Sequence, residues 1–284
     1  MAAFLTGLKD LGLECLENTD IFGEKKQEVK QSEKTEKPVA DIPKEEDLLY
    51  EKTLECPCCG KRFRTKVYKT GKAKLLSTDM DLRPVYEGID VTKYDVIQCE
   101  YCGYAALPKY FPYLTQAQRK LIQENICQKV QLKPYEGGVY SYDEALQRYK
   151  LSLVNAVVKH AKNSEKAFVC LKTAWLVRGY RLEQEGMEKV DAAKVEELQT
   201  MENENLQNAY QGFVEARKTE TFPICGMDVY SLDYLLAALA YEVKAYDDAA
   251  RLVSGLLTST SANRRIKDKA LVIKEQLQAA RKAE

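Results

Sequence analysis

Two C-x-x-C pairs, each followed at once by glycine, constrain this chain more than anything else in it: Cys56 and Cys59 before Gly60, and Cys99 and Cys102 before Gly103. Each has the form of a zinc knuckle, in which a tight turn aims two thiolates at one point and the glycine lets the backbone turn back. Four thiolates at about 2.3 Å complete a tetrahedral Zn²⁺ shell. Cys56, Cys59, Cys99 and Cys102 are therefore assigned as the ligands of one structural zinc per chain, with iron as the other metal that four thiolates can hold. Thirty-nine residues separate Cys59 from Cys99, against roughly 15–20 in common sites. The extra length costs only about 0.7 kcal/mol of loop closure, while structural zinc supplies on the order of 10–16 kcal/mol. The insertion is expected to carry strands of its own.

A closed four-thiolate shell keeps no open position and does not activate water. The single histidine, His160, ends a helical stripe with Leu146, Tyr149, Leu153 and Val157 and reads as a half-buried residue or a helix C-terminal cap. No H-E-x-x-H, phosphate-binding P-loop or dinucleotide fingerprint occurs. The chain is thus expected to be non-enzymatic, with an enzyme built on Asp79, Asp81 and Arg83 as a distant alternative. Cys58 lies between two ligands and is expected to point away from the metal. Because C-x-x-C also serves thiol exchange, a redox pair is the competing reading of the knuckles, and Cys58 is the candidate redox thiol that would make the site oxidation-sensitive.

The stretches ECPCCGKRF and DMDLRPVYEGIDVTKYDVIQCEYCGYAALPKYF resemble the DUF2225 family of uncharacterised bacterial proteins. The resemblance is strong over about residues 50–130 and looser over the helical remainder. It implies no known activity. It also implies that Cys58 is a variable position, outside the ligand set.

Apolar and aromatic runs flank the knuckles at Lys52–Glu55, Phe63–Tyr68 and Tyr94–Gln98, which predicts a zinc-ribbon-like β unit. In D-x-D-L-R-P, an extended backbone would put Asp79 and Asp81 on one face. With Arg83, Tyr86, Asp90 and Asp95 nearby they form a candidate polar pocket or second weak metal site, against the plainer expectation of a turn with Asp–Arg pairing. Lys61 to Lys74 holds seven basic residues and no acidic one, with Phe63 and Tyr68 interleaved. Lys61, Arg62, Arg64 and Lys66 are the candidate nucleic-acid contacts, although residues 76–100 carry six acidic and two basic groups that oppose that field.

Lys plus Arg and Asp plus Glu are both 43, which excludes a globally basic nucleic-acid binder. No apolar run is long enough to span a membrane. The start lacks the basic region and unbroken apolar core of a secretory signal. An odd number of clustered cysteines suits a reducing compartment, so the chain is expected in the cytoplasm. Phe4, Leu5, Leu8, Leu11 and Leu16 mark a short amphipathic segment over 1–22, and Cys15 carries no argument. A charged, disordered linker follows over 23–48. The β unit takes 49–114.

Residues 115–284 turn to a 3.6-residue period. Thr115 caps a helix near Gln116–Lys129, and a loop with Pro134, Gly137 and Gly138 follows. Ser141 and Glu144 form a capping box for a helix to about His160. Ser164 caps the next, with Phe168, Leu171, Ala174 and Trp175 inward. One long helix is expected over Met187–Lys218. Leu232, Leu235, Leu236, Leu239 and Val243, then Tyr246, Ala249, Val253 and Leu256, resemble a tetratricopeptide (TPR) helix pair, with Ala237 at the crossing. Ile266, Ala270, Ile273 and Leu277 mark a closing helix. The order around Trp175 departs from the repeat, so the domain is TPR-like rather than a 34-residue array. Cys127 and Cys170 read as small buried residues, and Cys225 as a more exposed one. The overall expectation is an α+β chain: a zinc-ribbon-like β domain followed by an all-α, TPR-like domain. It would act as an adaptor whose helices hold an unidentified protein or peptide. Nucleic-acid binding and thiol or zinc redox sensing are the alternatives.

Overall fold

The computed structural model describes residues 43–132 and 137–283. The amphipathic segment, Cys15, Pro134 and most of the charged linker lie outside the described residues. The last residues assigned to the linker belong to the fold instead. Glu45–Leu48 form a 3₁₀ turn. Leu48 is buried there, and the Glu45 carboxylate meets the Lys93 ammonium at 2.7 Å and accepts from the Tyr94 hydroxyl at 2.8 Å.

Among the described residues the β part is three antiparallel hairpins. β1 (Leu49–Glu55) pairs with β2 (Arg62–Tyr68), from Leu49 opposite Tyr68 to Glu55 opposite Arg62. Side-chain alternation along β2 buries Phe63 and Thr65 and turns Arg62 and Arg64 outward. The insertion carries the second hairpin, β3 (Leu75–Thr78) with β4 (Pro84–Tyr86). The third is β5 (Ile97–Gln98) with β6 (Ala105–Ala106). The strand expected from Tyr94 is shorter because Val91–Tyr94 form a 3₁₀ turn, capped where the Asp90 side chain accepts from the Thr92 amide.

Among the described residues seven α-helices follow. α1 (Gln116–Ile122) opens on a Thr115/Gln118 capping box and runs into a π turn at Gln123–Cys127. α2 (Tyr142–Val158) opens on the Ser141/Glu144 box. It ends where Ala161 N–H donates to Ala156 O at 2.9 Å and His160 N–H to Val157 O at 3.0 Å. His160 is exposed and left-handed, φ 52°, so it closes the helix as a C-terminal cap. α3 (Asn163–Glu185) begins before Ser164, which is not its cap. Instead the Glu220 carboxylate, from beyond the next helix, accepts from Ser164 N–H at 2.9 Å and from its hydroxyl at 2.6 Å. α4 (Ala192–Thr219) starts later than expected because Asp191 caps it, accepting from the Ala193 and Lys194 amides. α5 (Val229–Glu242) and α6 (Tyr246–Thr258) are joined by a turn with Lys244 at φ 62°. α7 (Arg264–Ala283) closes the bundle.

Leu206, Phe213, Leu232, Leu235, Leu236, Leu239, Leu256 and Ile273 fill one continuous core across α4 to α7. The chain is α+β. Among the described residues no helix is long and apolar enough to cross a membrane.

Candidate metal centre

The knuckles form the tips of the first and third hairpins and are the same loop built twice. Gly60 N–H donates to Cys56 O at 2.8 Å and Cys56 N–H to Lys61 O at 3.0 Å. Gly103 N–H donates to Cys99 O at 3.1 Å and Cys99 N–H to Tyr104 O at 2.8 Å. Gly60 and Gly103 sit at φ 73° and 72°, where a side chain is strained.

The two loops face each other, and the Sγ atoms of Cys56, Cys59, Cys99 and Cys102 lie within 4.8 Å of one another. Cys56 Sγ is 3.7 Å from Cys102 Sγ, and Cys59 Sγ is 3.7 Å from Cys99 Sγ. A tetrahedral shell of about 2.3 Å radius has edges of about 3.8 Å, so the four sulfurs are spaced for one ion. Cys56, Cys99 and Cys102 are buried and Cys59 is half-buried. Around them pack Phe63, Tyr104, Phe111, and Ile122 and Ile126 from α1 and its π turn. From α2, Asn155 Nδ2 donates to Gly103 O at 3.1 Å and holds the second loop in place.

The thiols share their protons unequally. Hydrogen bonds from Cys102, then Cys56, hold Cys99 down at about 2. The contacts of Cys102, Cys56 foremost, push that thiol far up. A metal ion replaces such protons and makes all four thiolates.

Cys58 is buried, and its Sγ lies 3.8 Å from that of Cys127, at the end of the π turn, so it stays beside the centre rather than pointing away from it. Cys58, Cys102 and Cys127 also lie within 4.8 Å of one another. Hydrogen bonding from Cys102 lowers Cys58 to about 7, against its burial. Cys127 is thus no ordinary buried side chain as its helical setting suggested. No spacing rule links it to a knuckle. Cys170 lies in the helical core. Cys225 is half-buried, accepting from the Tyr110 hydroxyl at 3.2 Å and donating to Ser164 O at 3.3 Å.

The D-x-D-L-R-P segment is a tight turn, not an extended strand. Asp79 N–H donates to Arg83 O at 2.8 Å, Leu82 N–H to Asp79 O at 3.0 Å, and Leu82 has φ 73°. Arg83 pairs with Asp79 and Asp90, each at 3.4 Å. Arg178 of α3 reaches Asp79 at 3.3 Å, Asp81 at 3.0 Å and Glu202 of α4 at 2.6 Å. Trp175 Nε1 donates to Asp81 at 3.0 Å. Tyr86 is elsewhere, against Tyr68, and Asp95 pairs with Lys172 at 2.7 Å. Asp81, Arg83 and Glu202 are buried, so this cluster works as an ionic joint between the inserted hairpin and α3–α4.

Beside the second knuckle lies an open groove of about 800 Å³ whose lining includes Arg62, Arg64, Lys66, Tyr101 and Arg148. Lys61 sits over the Tyr101 ring at 4.8 Å, and Arg64 pairs with exposed Glu51 at 3.4 Å. Lys66 donates to the Gly137 and Gly138 carbonyls. Arg148, which its helical sequence context did not single out, stacks on Tyr140 at 4.0 Å.

A family model described as "Uncharacterized protein conserved in bacteria (DUF2225)" matches residues 49–279, from β1 into α7. No curated protein and no solved structure matches the chain.

Proposed function

The chain belongs to the DUF2225 family, and we propose that it is a cytoplasmic, zinc-binding, non-enzymatic adaptor. The convergence of Cys56, Cys59, Cys99 and Cys102 on one point inside a packed core carries this proposal. Four thiolates fill a tetrahedral shell and leave the ion a structural task. Knuckles at two hairpin tips support a zinc-ribbon-like unit. The antiparallel α5–α6 pair, with Ala237 and Ala249 fully buried, supports a TPR-like helical part. The interaction surface is a groove of about 590 Å³ with Tyr210, Val214, Leu236 and Leu252 on its apolar side and Arg217 and Arg251 among its charged lining. Its size and composition suit a short amphipathic peptide. The odd, clustered cysteines motivate the cytoplasmic assignment.

Two measurements test this. Metal analysis of wild type beside Cys99→Ser should give zinc in the first and loss of zinc with loss of fold stability in the second. Affinity purification from the native host should return a protein that Leu252→Glu loses and Glu204→Lys, on the far side of α4, keeps. Failure to recover any such protein removes the adaptor.

The basic groove favours a second proposal, single-stranded nucleic acid. Arg62 and Arg148 line it with no carboxylate partner among the described residues, and the Tyr101 ring is half exposed. Oligonucleotide affinity should weaken with salt, and each arginine replaced by alanine should lower the salt slope by about 1. No affinity at low salt removes this proposal.

A further inference from the structure

The cysteine unit holds more thiols than one ion needs. We infer that it carries a second metal position, formed by Cys58 and Cys127 together with Cys102, which bridges to the first centre. Its occupant is a divalent, thiophilic cation of the zinc class. This rests on the four-cysteine centre being a metal site.

Three segments place the sulfurs. Cys58 is fixed inside the first knuckle, where its carbonyl accepts from Gln123 Nε2 at 3.1 Å. Cys127 is delivered by the π turn, four residues further on, and Cys102 by the second knuckle. All three Sγ atoms lie within 4.8 Å of one another, and the Cys58–Cys127 separation of 3.8 Å matches the edge of a thiolate shell. A disulfide would need about 2.05 Å.

Charge selects the ion. One divalent cation on four thiolates leaves two negative charges in a buried cluster. A second divalent cation brings two positive charges and adds two new thiolates, so the buried charge does not grow. A monovalent ion on the same sulfurs would leave one more unbalanced charge in a site where burying charge is costly. The shared Cys102 thiolate has lone pairs enough to bridge. Three protein sulfurs leave the second ion one coordination position for an exchangeable ligand, unlike its neighbour.

Cys58 and Cys127 lie outside the first ligand set, so each can be replaced without touching it. The test is elemental analysis of full-length protein, purified reduced and anaerobically, loaded with excess zinc and desalted. Wild type should hold two zinc ions per chain, and Cys58→Ser and Cys127→Ser one each, with folding retained. Cobalt titration should follow suit, with the sulfur-to-cobalt charge-transfer band saturating at two equivalents in wild type and at one in either variant. One zinc in wild type and in both variants overturns the second position while the first centre stands. So does a Cys58–Cys127 disulfide found by mass spectrometry in protein holding one zinc. No metal in wild type overturns the first centre and with it the inference.

Discussion

Gly179 offers a sign test of the ionic joint. It lies inside α3, where replacing glycine by alanine ordinarily stabilises by about 1 kcal/mol. Here a Cβ would sit 2.1 Å from Asp90 Oδ2, 2.9 Å from the Tyr142 hydroxyl and 3.0 Å from Arg83 Nη2. The Arg83 and Asp90 side chains are 8% and 11% exposed, so neither can retreat into water. To make room Asp90 must give up Arg83, 3.4 Å away, and the Tyr142 hydroxyl that donates to it at 3.0 Å. Breaking a buried pair costs about 3–5 kcal/mol. The lower end applies, because the contact is long and Asp79 still holds Arg83. After the helix-propensity gain, Gly179→Ala should destabilise by about 2–3 kcal/mol. At about 2–4 °C per kcal/mol, Tm should fall by about 4–12 °C. The assay is thermal and urea unfolding of metal-loaded wild type, Gly179→Ala, Asp90→Ala and the double variant. In the Asp90→Ala background the worst collision is gone, so the alanine should cost far less and the cycle should show coupling above 1 kcal/mol. An alanine that stabilises by about 1 kcal/mol in both backgrounds would refute the joint.

Three further outcomes are expected. Gly60→Ala and Gly103→Ala both strain a left-handed residue by roughly 1–2 kcal/mol, but only at Gly103 would the new carbon also strike Val130, at 2.8 Å; Gly103→Ala should release zinc to a chelator faster, and Val130→Ala should partly restore it. Asn155→Ala should cost about 1–2 kcal/mol by freeing the Gly103 carbonyl, while Asn125→Ala, whose exposed side chain bonds only its own helix, should leave urea unfolding unchanged. Burial raises the Glu242 carboxyl above its ordinary 4.5, with Asp81 and Glu202 adding and Arg178 opposing. The folded state then holds that proton more tightly than the unfolded chain, so the contribution is favourable below 4.5 and is lost as pH rises through the raised value. Glu242→Gln should accordingly raise Tm at neutral pH and hardly at all near pH 4; equal shifts at both would count against it.

What could be read from the sequence was what short-range chemistry specifies. A knuckle is a five-residue loop whose thiols and glycine are contiguous, and the Thr115 and Ser141 capping boxes are equally local, so all three have visible signatures. The turn at Asp79–Arg83 was legible as a turn, but its partners were not: Arg178 and Glu202 come from helices about a hundred residues later and follow no spacing rule. The same holds for Cys127, brought to Cys58 by how α1 and its π turn lie over the first hairpin. Ser164 had the composition of a helix cap, yet a distant carboxylate supersedes it, because Glu220 satisfies the free amide from outside the helix.

The twin knuckles have unlike surroundings, and this bears on kinetics. After Gly60 comes exposed Lys61, and nothing lies within 4 Å of where a side chain on that glycine would project. After Gly103 comes Tyr104, fully buried, and Val130 crowds the glycine itself. Cys59 is the least buried of the four candidate ligands. If the centre holds the proposed ion, a competing chelator or a delivering thiol would therefore reach it from the side of the first hairpin, where Cys59 is the most accessible of the four thiols. Cys99 and Cys102 would hold such an ion from the buried side, so loading or emptying the centre would proceed at the outer loop without opening the core around Tyr104.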